Sequence, residues 1–384
     1  MKIYLNNAAT SHPKPKEVIN AVMNYFTNIG SNPGRGLSSS TLEGNRIVYD
    51  CRDAISEFFH FDKPENVIFT SNVTASLNIL IKGCVQRGWH VITSSMEHNS
   101  VLRPLHTLKN MGIIDLDVLE CTKSGLIDVE LFKSKIKSTT KLAVFSHASN
   151  IVGTIQPLEE IGSICASKGI FFIVDAAQTA GVLDVNMKNL NCSALCFTGH
   201  KSLLAPQGIG GFVITDEFNE MVSTFIEGGT GSMSSDIVQP DFLPDKFESG
   251  TLNSPGIAGL LEGIRFINKE GLNSIREHEE YLTQRFLDKV LNIDDLIIYG
   301  PKDSTKQMSV VSLNSKTVDN SQLGFSLDHD FGIMTRTGLH CAPLAHKSIG
   351  SYPMGTLRVS FGYFNDKSDV DYCINSLKSI ISCK

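Results

Sequence analysis

Short apolar runs rich in Val, Ile and Phe alternate with stretches of helical spacing over the first two thirds of the chain. Residues 66–70, 90–94, 141–146 and 169–175 read as strands, and 72–87, 100–111 and 158–168 read as helices between them. This rhythm predicts a mostly parallel sheet with right-handed helical crossovers, which gathers the carboxyl ends of the strands on one edge. Ligands of such sheets bind at that edge, so residues just past an apolar run are the first candidates for chemistry. After Gly250 the pattern changes. Residues 255–269 and 272–291 read as long helices, and 307–313 and 356–361 as strands, which predicts a smaller α+β domain. A Gly/Ser-rich stretch, EGGTGSMSS at 227–235, predicts a flexible loop.

Length and charge narrow the picture. At 384 residues the chain is long enough for two domains with substantial cores. The 34 Lys and Arg against 40 Asp and Glu give a net charge of −6 with no basic run, which argues against a nucleic-acid partner. No stretch of about 18 consecutive apolar residues predicts a membrane span. The asparagines Asn6 and Asn7 interrupt the start before any apolar run of signal length, so a cytoplasmic protein without a membrane partner is expected. Nine cysteines at irregular spacing, positions 51, 84, 121, 165, 192, 196, 341, 373 and 383, fit free thiols in a reducing compartment better than a disulfide framework. Cys192 and Cys196, four apart in an apolar segment and without a partner pair, read as core residues and not as metal ligands, and no metal site is expected.

Several residues stand where chemistry is plausible. Asp175 ends the apolar run FFIVD, where a buried carboxylate needs a cation or hydrogen-bond donors, although capping the next turn is its ordinary use. Lys201 follows another apolar run in the sequence TGHK. PQGIGGF, at 206–212, then supplies glycines that let backbone pass close to something flat or bulky. TSNVTASLN, at 70–78, places Ser and Thr residues where a strand gives way to a helix, the setting of an anion site or of a plain N-cap. Far downstream Cys341 sits among Arg336, His340, His346 and Lys347, a basic setting that favours a nucleophilic thiolate. TLRVSF, at 356–361, alternates strictly, so Arg358 projects from one strand face as either a carboxylate clamp or a solvated side chain.

The acid at a strand end, the Gln three residues on and the lysine of TGHK together resemble the pyridoxal-phosphate enzymes of fold type I, in the class V aminotransferase branch. More narrowly the chain resembles a cysteine desulfurase of the group II (SufS-like) kind, over essentially its whole length. The resemblance implies a large, mostly parallel α/β/α domain over residues 11–258. It implies a smaller α+β domain built from residues 1–10 and 259–384. Pyridoxal 5′-phosphate is the implied cofactor, with Lys201 at the Schiff-base position. Asp175 then matches the carboxylate opposite the pyridine nitrogen, Gln178 the ring-hydroxyl partner and His98 (in MEHNS) the histidine stacked on the ring. Thr74, Thr198 and His200 match phosphate donors, and Thr251 (in ESGTLNSP) matches a residue that reaches the phosphate of a neighbouring subunit, which implies a homodimer.

The resemblance also assigns the substrate side. Cys341 matches the persulfide-forming cysteine, and Arg358, with Asn150 and Arg336, the group that holds the substrate carboxylate. The implied reaction turns L-cysteine into L-alanine and leaves a persulfide for a protein sulfur acceptor, as in iron–sulfur cluster assembly. Rivals on the same scaffold are a selenocysteine lyase, taking L-selenocysteine, and a small-amino-acid aminotransferase with no use for Cys341. The chain departs from the pattern at Leu339 and Ser38, where many group II members carry histidines, and at Val73 and Ala75 beside Thr74. These departures bear on substrate preference and activation, not on cofactor binding.

Overall fold

A computed structural model describes residues 2–382 apart from 35, 37 and 234. Of the positions singled out above, Cys383 and residue 234 of the 227–235 stretch lie outside the described residues. The central sheet has seven strands in the order Val67–Thr70, Gly210–Ile214, Ala194–Thr198, Phe171–Asp175, Thr140–Ser146, Trp89–Ser94 and Ile114–Leu119. Alternate side chains enter two separate cores: Phe145, Phe172, Val174 and Phe197 enter one, and Val144, Ile173, Ala194 and Phe212 the other. Both faces are therefore covered, which explains why these strands read as continuous apolar runs.

The expected strands and helices of the first two thirds are present, with Val73–Cys84, Asn99–Asn110 and Leu158–Lys168 as the helices. One strand corrects the glycine reading. Gly210–Ile214 runs antiparallel to both its neighbours, making the sheet mixed. A Cβ on Gly211 would sit 2.3 Å from the Ile68 carbonyl oxygen and 2.6 Å from the Phe197 ring. The bulky object that Gly211 admits is thus the adjoining strand and the Phe197 ring, a packing requirement of the sheet.

The C-terminal sheet is antiparallel, in the order Arg336–Gly338, Thr356–Ser360, Val310–Ser315 and Leu296–Tyr299. Its core includes Leu282, Phe286, Val311, Leu313, Leu357, Val359 and Leu377, contributed partly by the helices Leu272–Val290 and Lys367–Ser382. The strand expected at 307 begins at Val310, because Gln307 is taken up by an isolated bridge to Thr154. The short strand Ile3–Tyr4 pairs in parallel with Ile333–Met334 as a separate two-stranded sheet, and Ile3, Leu5 and Ile333 join the core of the C-terminal sheet, which ties the start of the chain to that region. No helix among the described residues is long and apolar enough to cross a membrane.

Candidate active site

The carboxyl edge of the central sheet opens into a cleft of about 340 Å³ lined by His98, Ser146, Asn150, Asp175, Gln178 and Lys201, with Val73 at its side. Asp175 closes its strand and is 5% exposed. One of its oxygens accepts the Ala177 N–H at 2.9 Å, so the turn-capping role and a place in the cleft coexist. Lys201 follows Thr198 by three residues in a turn that the N-terminal segment fastens. The Ser11 hydroxyl donates to the Lys201 carbonyl at 2.7 Å, and Lys14 Nζ to the His200 carbonyl at 2.8 Å. Gln178 donates to the Ala8 carbonyl at 3.2 Å. His98 caps the helix Asn99–Asn110, its Nδ1 accepting the Ser100 N–H at 3.1 Å, which leaves the proton of the neutral ring on Nε2.

Burial sets the charges here. It lowers the Lys201 ammonium to about 8, with the nearby Arg358 and Arg336 acting in the same direction and Asp175 opposing. Burial raises the Asp175 carboxyl, against the Ala177 N–H and Lys201, which favour its anion. His98 falls to about 4 through burial and the cations Lys201 and Arg336, and is neutral at physiological pH. Glu97, beside it, is fully enclosed and pushed up to about 7 by burial, although it accepts from the Ser94 hydroxyl at 2.6 Å and from Ser146 N–H and Oγ at 2.7 Å.

A second cationic centre adjoins the first. Arg358 and Arg336 are cross-strand partners, and Arg358 is only 1% exposed, so the solvated-arginine alternative fails. Its guanidinium donates to the Asn150 carbonyl at 2.8 Å and to Asn6 Oδ1 at 3.1 Å, and Nε has no partner. Burial, then Arg336, lowers its pKa to about 9. With no carboxylate partner among the described residues, such a buried cation is poised to take an anion. Cys341 is exposed and lines an outer pocket with Thr74, His98, Asn99 and Arg103, contiguous with the cleft through His98. Of its sequence neighbours, His340 is held neutral by burial at about 2 and His346 at about 4. Lys347 lies over the Tyr352 ring. Arg358 and Lys201, distant from Cys341 in sequence, each feel the charge of Cys341 as a minor influence.

The remaining candidates divide. Thr198 and His200 adjoin the lysine turn, and Thr198 Oγ1 and His200 Nδ1 are buried without partners. Thr74 is in the first turn of Val73–Cys84, but the cap is Asn72, whose side chain accepts from the Ala75 N–H. Thr251 does not line the cleft. It lies in a separate groove of about 740 Å³ with Thr70 and Ser71. Sequence reasoning missed Asn6, Ser146, Glu97 and Lys14. Glu97, inside MEHNS, was the one with a visible signal, since a carboxylate follows an apolar run there.

A family model described as aminotransferase class-V matches residues 3–373. The chain is 31% identical over 382 residues to a "Probable cysteine desulfurase" from Methanothermobacter thermautotrophicus, covering 98% of this chain and 94% of that one. It is 32% identical to another "Probable cysteine desulfurase", from Pyrococcus abyssi, covering 99% and 94%. The solved apo structure of cysteine desulfurase from Thermococcus onnurineus superposes with a TM-score of 0.94 at 32% identity, over 100% of this chain and 95% of that one. The two-sheet architecture, the lysine-bearing cleft and these full-length similarities converge: the chain belongs to the class V aminotransferase family, as a homologue of cysteine desulfurases, which are pyridoxal-phosphate-dependent enzymes.

Proposed function

We propose that the protein is a pyridoxal 5′-phosphate-dependent cysteine desulfurase that converts L-cysteine to L-alanine and collects the sulfur as a persulfide on Cys341. The observation that carries this reading is the juxtaposition of a half-buried lysine and an acid in one cleft, a buried arginine with no carboxylate partner among the described residues, and an exposed cysteine in the pocket that adjoins the cleft at His98. The residues fit the cofactor. Unpartnered Thr198 Oγ1 and His200 Nδ1 are suited to phosphate oxygens, Asp175 to a protonated pyridine nitrogen, Gln178 to the ring hydroxyl and neutral His98 to a ring face. Lys201 is the amine for the aldehyde. When bound, the cofactor supplies an electron sink for bonds broken at the substrate α-carbon.

The protein's own groups do the rest. Arg358, with Asn150 and Arg336, holds the substrate carboxylate, and Lys201 Nζ, its basicity lowered by burial, takes the α-proton. The Cys341 thiolate then attacks the substrate sulfur. The new S–S bond forms as the substrate Cβ–S bond breaks, its electron pair stays on carbon, and protonation at Cβ together with return of a proton to Cα from Lys201 yields alanine. A protein acceptor relieves Cys341 of the sulfur. We assign residues 11–258 to the cofactor domain and 1–10 with 259–384 to the domain of Cys341 and Arg358, in keeping with the pairing of Ile3–Tyr4 with Ile333–Met334. A homodimer, in which Thr251 serves the neighbouring subunit, agrees with the position of Thr251 outside the Lys201 cleft. Eight unpaired cysteines among the described residues agree with a cytoplasmic setting.

The test is alanine release from L-cysteine and from L-selenocysteine by the native protein and by Cys341→Ala. Loss of cysteine turnover in the variant, with persulfide found on Cys341 in the native protein, is expected. Turnover of selenocysteine alone, indifferent to the substitution, would make the protein a selenocysteine lyase instead.

A further inference from the structure

His340 and Cys341 are consecutive residues in the left-handed backbone region, with φ of 48° and 60°, a conformation unfavourable for residues with a Cβ. The His340 side chain is itself anchored, its Nε2 lying 3.2 Å from the Arg336 carbonyl and its ring stacked on His346 at 5.7 Å, whereas Cys341 is exposed. Hydrogen bonds to the two carbonyls add to this hold on the pair. Asn150 Nδ2 donates to the His340 carbonyl at 2.9 Å, and the Asn99 backbone N–H donates to the Cys341 carbonyl at 2.8 Å.

Asn150 is a firm post for this contact. It sits in a turn in which the Ser149 hydroxyl accepts the Ile151 and Val152 N–H groups at 3.2 and 3.3 Å. Its own carbonyl accepts from Arg358 at 2.8 Å. One residue thus touches both the buried arginine and the peptide that precedes Cys341. An asparagine amide has two N–H donors. With one on the His340 carbonyl, a second remains for a ligand in the cleft that Asn150 lines.

We propose that Asn150 is a positioning residue for Cys341, holding its loop in the left-handed form through the His340 carbonyl and coupling that form to carboxylate binding at Arg358. This rests on the assignment of Cys341 as sulfur acceptor and Arg358 as carboxylate site. A carboxylate on Arg358 and the second Asn150 N–H places the thiol at a fixed remove from the carboxylate end of the substrate. Asn150 then acts on sulfur transfer beyond its effect on affinity.

The test compares two reactions of the holoenzyme at saturating substrate. Exchange of the L-alanine α-proton in heavy water needs the carboxylate site and Lys201 but not Cys341, whereas persulfide formation from L-cysteine needs all three. In Asn150→Ala, the ratio of persulfide formation to exchange is expected to fall about tenfold or more, as for a misplaced reacting group. Hydrogen exchange of the Asn99 amide, without added substrate, is expected to quicken. Asn150→Asp keeps the shape and removes the donor, and serves if the alanine variant does not fold. An unchanged ratio, or an Asn99 amide as protected as in the native protein, overturns the proposal. Native protein that exchanges alanine but forms no persulfide would defeat the desulfurase reading without any variant, and the Asn99 amide still decides whether Asn150 holds the loop.

Discussion

Lys201 and Arg358 share a condition: Arg358 is fully buried and Lys201 partly so, and each is pushed toward its neutral form first by burial. For Lys201 this has a kinetic consequence. An amine is nucleophilic only after losing its proton, and a lysine lowered to about 8 does so well below the ordinary value of about 10.4. The rate at which cofactor-free protein takes up pyridoxal phosphate should therefore rise through pH 8 and then level off. Stopped-flow absorbance checks this, and a rise centred near pH 10 would place the attachment on a solvated lysine. Arg358→Ala should raise the KM for cysteine about 10- to 100-fold, the loss of a charge-assisted contact, with a smaller change in kcat. An unchanged KM would assign the carboxylate elsewhere. At this scale the sequence made Lys201 and Asp175 legible because each follows or ends an apolar run, and Cys341 because basic residues surround it in sequence. It could not show that His340 and His346 are buried and neutral, nor that Arg336 faces Arg358, since strand register and burial arise from tertiary packing.

Among elements, the fully buried strands were legible because burial on two faces erases polar positions, and the crossover helices because one face stays apolar. The helix Ser39–Phe58, capped by Ser38, escaped attention since its buried positions include Thr41, Gly44, Arg52 and Ser56, which carry no apolar signal. Gly210–Ile214 is a strand whose glycines disguise it as a loop. The helix Leu272–Val290 was legible, but not its buried acid. Glu279 is 4% exposed, and the Ser309 hydroxyl lies 2.5 Å from its carboxyl and 3.0 Å from the Phe361 carbonyl. One hydroxyl proton cannot serve both acceptors, so a protonated Glu279 completes the chain by donating to Ser309, and burial raises its pKa to about 7. The sign follows from linkage. A carboxyl raised in the folded state carries no penalty below its unfolded value of about 4.3, and destabilises the fold as pH rises through 7. Glu279→Gln is neutral throughout and should gain stability over the native protein between pH 5 and pH 8, by on the order of 2–3 kcal/mol. Thermal unfolding at both values measures it, and a pH-independent difference would show that Glu279 titrates normally.

For the molecule as a whole, the proposed cofactor site has a geometric gap. Thr198 and His200 adjoin Lys201, yet Thr251 opens into a different groove, beside Thr70 and Ser71, and takes a hydrogen bond from Asn32 at 3.3 Å. Apolar side chains cluster on nearby elements: Ile19, Met23, Phe26, Leu42 and Tyr49 are all more than half exposed, on segments that pack together against the helix Ser254–Glu270. Burying such a face lowers free energy by roughly 25 cal/mol for each Å² of apolar surface removed from water, a strong pull toward association. If that face joins two copies, the Thr251 groove of one can meet the lysine cleft of the other. Sedimentation should then give about twice the chain mass of 42.0 kDa, and Phe26→Glu, which sets a charge in the apolar face, should yield monomers. Because Thr251 serves the partner in this arrangement, the monomers should lose pyridoxal phosphate on dialysis faster than the native dimer, and Thr251→Ala should do so while remaining dimeric. Monomers that retain the cofactor as well as dimers would confine the whole phosphate site to one chain.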